Sequence, residues 1–238
     1  MAASSWPPSS RFAALGRFEL SQCYHFERMA RGLAFIVAFL LGSTALQAQQ
    51  PYPPDTPPSR DSALDTLFKV GTSEWMITVG PGFADSLFHS VPGHRYLVPS
   101  VSWGRVLTRP VGPGALRGRF EWAFEVVPLF TQFNPRATLG VGVTPLVWRW
   151  NFEPRGNLAP FAELAGGALW TRDPIPSETT TANFTAHAAY GVRYFLGSQH
   201  AVVASYRFHH ISNGNRLERN PGVNAHVLQV GFSLMRPR

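Results

Sequence analysis

Apolar and polar residues alternate with a period of two along most of the chain from residue 74 onward. In the last such segment Leu228, Val230 and Phe232 fall on one face, and Gln229 between them faces the other way. This period is that of a β-strand, whose successive side chains point to opposite faces. No sustained helical period interrupts it, and no apolar run there is long enough for a spanning helix. The pattern therefore predicts an all-β protein.

Glycine, proline, asparagine and aspartate separate the alternating segments, as expected for turns between strands. The segments predicted as strands are Glu74–Phe83, His94–Leu107, Arg117–Thr131, Leu139–Phe152, Ala159–Thr171, Asn183–Leu196, His200–Ser212 and Asn224–Met235. Each of these segments has ten or more residues, which suits a tilted strand that crosses a bilayer and is long for an ordinary soluble sheet.

Tryptophans lie within the predicted strands, several near the ends where interfacial aromatic belts form. They are Trp75, Trp103, Trp122, Trp148, Trp150 and Trp170. Because closure leaves no unpaired strand edge in hydrocarbon, we predict an eight-stranded antiparallel transmembrane β-barrel. A soluble lipocalin-like barrel is the alternative, and a requirement for detergent to extract the protein from membranes would separate the two.

The N-terminal region differs from the rest of the chain in its amino-acid pattern. A positive charge at Arg31, an apolar run from Leu33 to Leu41 and small residues up to Ala48 are typical of a secretory signal, with a membrane anchor as the alternative. Met29 is then the expected initiator. The predicted division is an upstream extension at 1–28, a signal peptide at 29–48, a proline-rich periplasmic linker at 49–72 and an outer-membrane barrel at 73–238.

The net charge of +7 comes almost entirely from arginine, since Lys69 is the only lysine. No basic cluster is interleaved with aromatics as nucleic-acid binding would require, so we predict no nucleic-acid partner. Attraction to anionic lipid phosphates and arginines inside the barrel account for the charge. The charged residues predicted to line the lumen are Arg105, Arg119, Arg149, Arg193, Arg207 and Glu121.

The only cysteine, Cys23, lies upstream of the predicted signal. The mature chain would therefore lack disulfides and thiolate metal sites. We predict no metal and no cofactor.

With the N-terminus in the periplasm, odd strands run outward. The short connection at 197–199 and the longer connections at 173–182 and 213–223 agree with this orientation. The seventh strand then ends at the outer leaflet.

Two side chains at that strand end, His210 and Ser212, share the face of Val202 and Phe208 and are predicted to face lipid. His209 is predicted to face the lumen instead. Polar groups on a lipid-facing wall are costly unless paired, although both residues could simply lie above the hydrocarbon.

A histidine beside a serine offers nucleophilic ester cleavage. His210 would accept the proton of Ser212, whose oxygen would attack an acyl carbon. Candidate oxyanion donors are the Asn213 side chain and the backbone N–H groups of Asn213 and Gly214.

The segment from His210 to Gly214, followed by Asn220 to Asn224, resembles the signature of the PagL-type lipid A 3-O-deacylases. The resemblance implies an eight-stranded outer-membrane barrel of Gram-negative bacteria that acts on lipid A of lipopolysaccharide. It implies that His210 is the general base and Ser212 the nucleophile. The expected reaction releases the 3-hydroxyacyl chain esterified at position 3.

This chain departs from the family pattern at two places. Asn224 occupies the position of the glutamate that orients the histidine, and its oxygen can still accept from the imidazole, as asparagine does in Cys-His-Asn sites. Glu218, in the intervening loop, is an alternative orienting residue. Gly214 and Asn215 replace the usual alanine and glycine of the oxyanion segment. The second function hypothesis is therefore a catalytically weak or inactive structural or lipid-binding barrel of the same lineage.

Overall fold

The computed structural model describes residue 64 and residues 66–238. Each predicted segment corresponds to one strand, and the largest difference in bounds is at the end of the third strand, which runs three residues past the predicted Thr131. The strands are β1 (Ser73–Asp85), β2 (Arg95–Val106), β3 (Gly118–Asn134), β4 (Thr138–Phe152), β5 (Leu158–Thr171), β6 (Ala182–Phe195), β7 (His200–Ser212) and β8 (Val223–Arg236).

The strands form a closed barrel in which each strand pairs with its neighbours in the chain. Closure is the antiparallel pairing of β1 with β8, in which Val79 lies opposite Val230. The predicted eight-stranded antiparallel barrel is thus confirmed. Among the described residues, no helix is long and apolar enough to cross a membrane.

The outer wall of the barrel is apolar. On β8 the outward side chains of Leu228, Val230 and Phe232 are 60%, 61% and 67% exposed, whereas Gln229 between them is buried. A soluble barrel would bury its apolar face, whereas a membrane barrel presents it to lipid and fills the interior with polar groups. The apolar residues of the two-residue pattern therefore face outward, as expected of an outer-membrane barrel.

Buried ion pairs fill the middle of the lumen. Arg149 donates hydrogen bonds to Glu74 at 2.7 Å, to Glu121 at 2.6 Å and to Glu163 at 2.6 Å. Arg193 donates two further bonds to Glu74, both of 2.6 Å. A buried charge is costly unless it is paired, so each of these charged groups needs its partners. Because the partners lie on different strands, the ion pairs tie β1, β3, β4, β5 and β6 together across the barrel axis.

Of the remaining residues predicted to line the lumen, two lie inside the barrel and one lies on its outer face. Arg207 faces inward and donates two hydrogen bonds to Glu125, at 3.0 and 2.8 Å. Arg119 is also buried inside the barrel. The prediction for Arg105 was wrong, because this residue alternates with the buried Val106 and lies on the outer face of β2.

A short helical turn before β1 closes the barrel end at which β1 begins. Leu64, Leu67 and Phe68 are buried there with Phe195 and Met235. The predicted linker at 49–72 therefore ends in packed structure. The predicted signal peptide, initiator and upstream extension lie outside the described residues.

The opposite end, here called the loop end, carries the connections 86–94, 135–137, 172–181 and 213–222. Below its rim an apolar cluster that includes Tyr96, Phe130, Ile211 and Val227 fills the lumen. The β2–β3 connection at the other end is also long, so loop length supports the predicted orientation only in part. The assignment of the loop end to the outer leaflet remains a prediction.

Candidate active site

The histidine and serine singled out by the sequence lie at the loop end of β7. In the strand register His210 is opposite Asn224 of β8, and Ser212 is opposite Phe184 of β6. His209 points into the lumen, where its Nδ1 shares a 2.9 Å hydrogen bond with the Tyr96 hydroxyl. The opposite orientation of neighbouring residues places His210 on the outer wall, as strand parity predicted.

Asn224 holds the imidazole of His210. The distance from His210 Nδ1 to Asn224 Oδ1 is 2.6 Å, and Asn224 Nδ2 donates to the backbone carbonyl of Leu87 at 2.8 Å. A carbonyl only accepts, so the Leu87 contact fixes which end of the amide faces the histidine. The amide oxygen then accepts from Nδ1–H. This tautomer leaves the lone pair of His210 Nε2 free to take a proton.

Ser212 is the last residue of β7, and it is 9% exposed. Its side chain leaves the same face of the strand as that of His210, two residues away. Within the described residues no hydrogen bond joins the Ser212 hydroxyl to the His210 ring. The structure therefore brings the two residues to one wall without forming the bond itself.

Asn213 organises the loop between β7 and β8. Its backbone N–H donates to Asn220 Oδ1 at 3.0 Å, and its side-chain amide donates to the carbonyl of Arg219 at 2.9 Å. The Asn213 carbonyl in turn accepts from Arg216 Nε at 2.9 Å. Of the predicted oxyanion donors, the Asn213 backbone N–H is thus occupied. The Gly214 N–H has no hydrogen bond to any described residue.

Two glycines allow the loop to pass close to the site. Gly214 has a φ of +64°, and a Cβ added there would lie 2.7 Å from the ring of Phe184. Gly222 has a φ of +68°, and its Cβ would lie 3.1 Å from Cε1 of His210. The left-handed conformation and the close approaches both favour glycine. The chain can therefore cover one edge of the imidazole without displacing it.

Glu218 does not occupy the orienting position. Its side chain is exposed in the β7–β8 loop, and the Nδ1 atom of His210 is already bonded to Asn224. One residue that the sequence analysis missed is Leu87, since its contribution is a backbone carbonyl and no sequence signal identifies it. Among the described residues, no group of three or more His, Cys, Asp or Glu could hold a metal ion.

Comparison with known proteins gives a family assignment. The family model described as "Lipid A 3-O-deacylase (PagL)" matches residues 100–233. Among solved structures, that of the outer membrane enzyme PagL has a TM-score of 0.49 and 13% identity, covering 67% of this chain and 98% of that chain. The structure of Neisserial surface protein A has a TM-score of 0.46 and 13% identity, covering 69% of this chain and 98% of that chain.

The N-terminal β-barrel domain of OprF from Pseudomonas aeruginosa gives a TM-score of 0.43 and 13% identity, covering 70% of this chain and 98% of that chain. Curated protein sequences give no match. The family model spans more than half of the chain and includes β7, the following loop and most of β8. The chain belongs to the PagL family of lipid A 3-O-deacylases.

Proposed function

We propose that this protein is an outer-membrane serine esterase that removes the 3-O-linked 3-hydroxyacyl chain from lipid A of lipopolysaccharide. Membership of a lipid A deacylase family supports the substrate class. The observation that carries the proposal is the 2.6 Å contact between His210 Nδ1 and Asn224 Oδ1 on the lipid-facing wall. A substrate anchored in the membrane can reach a site on this wall without leaving the bilayer.

In the proposed first step, His210 Nε2 takes the proton of the Ser212 hydroxyl while Ser212 Oγ attacks the ester carbonyl carbon. The Gly214 N–H and the second amide hydrogen of Asn213 are the proposed donors to the oxyanion. When the intermediate collapses, the sugar hydroxyl leaves with the proton from His210. Catalytic pairs are often loose until the reacting complex forms, so the missing Ser212–His210 bond is compatible with this role.

Water completes the proposed cycle. His210 Nε2 takes a proton from a water molecule as the water oxygen attacks the acyl carbon on Ser212, and the serine leaves with that proton. The products are the free 3-hydroxy fatty acid and the enzyme in its starting state. These steps require neither a metal nor a cofactor.

A catalytically weak or inactive barrel is the second candidate function. The observation that favours it is an amide at residue 224 in place of the family's carboxylate. An amide oxygen can orient the imidazole, but it carries no charge to stabilise the imidazolium that forms when His210 takes the proton.

Lipid A mass spectrometry separates the two candidates. The wild type and the variants Ser212→Ala and Ser205→Ala would be expressed in a Gram-negative host whose lipid A carries a 3-O-acyl chain. Ser205 is the matched control, because it lies on the same strand and contacts Gln229 at 3.5 Å, away from the site.

We expect lipid A to lose one 3-hydroxyacyl chain with the wild type and with Ser205→Ala, and to keep it with Ser212→Ala. An intact acyl pattern in every strain would support the inactive barrel instead. Equal loss with the wild type and Ser212→Ala would exclude Ser212 as the nucleophile.

A further inference from the structure

A carboxylate lies beside the His210–Asn224 pair in the closed barrel. Asp85 is the last residue of β1, and it follows the outward-facing Phe83 with the same strand parity. In the strand register Asp85 is opposite Asn224, which is itself opposite His210. Three neighbouring strands therefore carry an aspartate, an asparagine and a histidine in one row on the outer wall.

Hydrogen bonds connect the three residues of this row. From His210 the path runs through Asn224 to the Leu87 carbonyl, and the Leu87 N–H donates to Asp85 Oδ1 at 2.9 Å. Asp85 thereby holds the chain turn that presents the Leu87 carbonyl to Asn224. Because that carbonyl fixes the orientation of the amide, the carboxylate indirectly fixes the tautomer of His210.

The other carboxylate oxygen of Asp85 binds a second histidine. Asp85 Oδ2 lies 2.6 Å from His226 Nε2, and His226 Nδ1 lies 2.5 Å from the Tyr206 hydroxyl. A neutral His226 satisfies both contacts, donating from Nε2 to the carboxylate and accepting the tyrosine O–H at Nδ1. In that state the Asp85–His226–Tyr206 group keeps the single negative charge of the aspartate.

We infer that Asp85 is a positioning residue that supplies the carboxylate function absent from residue 224. It fixes the Leu87 carbonyl, and hence Asn224 and the tautomer of His210. Its charge lies two strand spacings from His210, on the order of 10 Å, and favours the imidazolium formed when Ser212 gives up its proton. This inference rests on the proposed esterase function.

A double-mutant cycle of Asp85→Asn and Asn224→Glu tests the inference. The change at residue 85 keeps the shape of the aspartate and removes its charge, whereas the change at residue 224 places a carboxylate directly against the imidazole. Asp173→Asn is the matched control, because Asp173 is another aspartate at the loop end and its hydrogen bonds are made by its backbone atoms.

Two rates would be measured for each purified variant in detergent micelles. One is the release of 3-hydroxy fatty acid from lipid A, as kcat and KM, and the other is the covalent labelling of Ser212 by a fluorophosphonate ester. A difference in migration between the unheated and the heated protein in detergent gels would show that each variant has formed a barrel.

We expect Asp85→Asn to lower kcat and the labelling rate about tenfold, with KM unchanged, because the imidazolium loses the attraction of a negative charge on the order of 10 Å away. In the Asn224→Glu background, Asp85→Asn should leave kcat and the labelling rate unchanged. The carboxylate introduced at residue 224 then supplies the charge, and removing that of Asp85 relieves repulsion between adjacent carboxylates. Asp173→Asn should retain the wild-type rates.

Equal losses from Asp85→Asn in both backgrounds would assign Asp85 a merely structural role and overturn the inference. Unchanged labelling of Ser212 in Asp85→Asn would overturn it as well. A wild type that labels at Ser212 without deacylating lipid A would refute the proposed substrate, and the labelling rates would still decide the role of Asp85. A wild type that does neither would overturn both proposals.

Discussion

Replacing Asn224 by alanine tests the central contact of the site. Alanine removes the 2.6 Å contact to His210 Nδ1 and the 2.8 Å bond to the Leu87 carbonyl. Asn224 is 4% exposed, so solvent water has little access to replace the lost amide. The imidazole would then lose both its orientation and its fixed tautomer.

The magnitude follows from the hydrogen bond that the variant lacks. In the proposed transition state His210 is an imidazolium, and a hydrogen bond to a charged group is worth roughly 1.5–3 kcal/mol. Since about 1.4 kcal/mol corresponds to a tenfold change in rate, kcat should fall by roughly 10- to 150-fold. KM should stay near its wild-type value, because Asn224 contacts the base and is not proposed to contact the acyl chain.

The assay is the release of 3-hydroxy fatty acid from lipid A by purified protein in micelles. Asn183→Ala is the control, since Asn183 is another buried asparagine at the loop end and its side chain bonds to Thr180, not to His210 or Ser212. It should retain the wild-type kcat. A kcat for Asn224→Ala within twofold of the wild type, in a protein that forms the barrel, would refute the orienting role of Asn224.

Two further predictions concern the lumen and the loop. Glu74→Gln should destabilise the barrel by about 3–5 kcal/mol, because it leaves Arg149 and Arg193 buried without their shared carboxylate. Urea unfolding in lipid vesicles measures the loss of stability, and an unchanged unfolding midpoint would contradict the prediction. Gly214→Ala should lower kcat more than tenfold with little change in the free energy of unfolding. The left-handed φ at residue 214 and the 2.7 Å approach of the new Cβ to Phe184 force the loop to move. Full activity of the variant would show that the loop tolerates the added side chain.

Strand parity was the most dependable guide in the sequence. It identified the eight strands and the outward orientation of His210, because alternation depends on residues only two apart in the chain. It also shows where the prediction for Arg105 went wrong. An arginine was assumed to face the polar lumen, although the parity of its own strand places it outside.

The candidate site could be predicted only in part. His210, Ser212 and Asn224 lie within one hairpin, and their spacing was visible in the sequence. Asp85 and Leu87 lie at the far end of the chain from that hairpin, and their contacts with it depend on closure between β1 and β8. No local pattern could indicate that an aspartate at the end of the first strand would be opposite Asn224.

The sequence by itself determined the number of strands, the side chains that face lipid and the serine–histidine spacing, because these follow from the period of the strand. The tertiary structure decided which groups surround the histidine. Barrel closure sets the register between the first and last strands, and the resulting contacts place the Leu87 carbonyl against Asn224 and Asp85 beside it. Register across a closing seam depends on every strand of the barrel, so it cannot be deduced from any one segment.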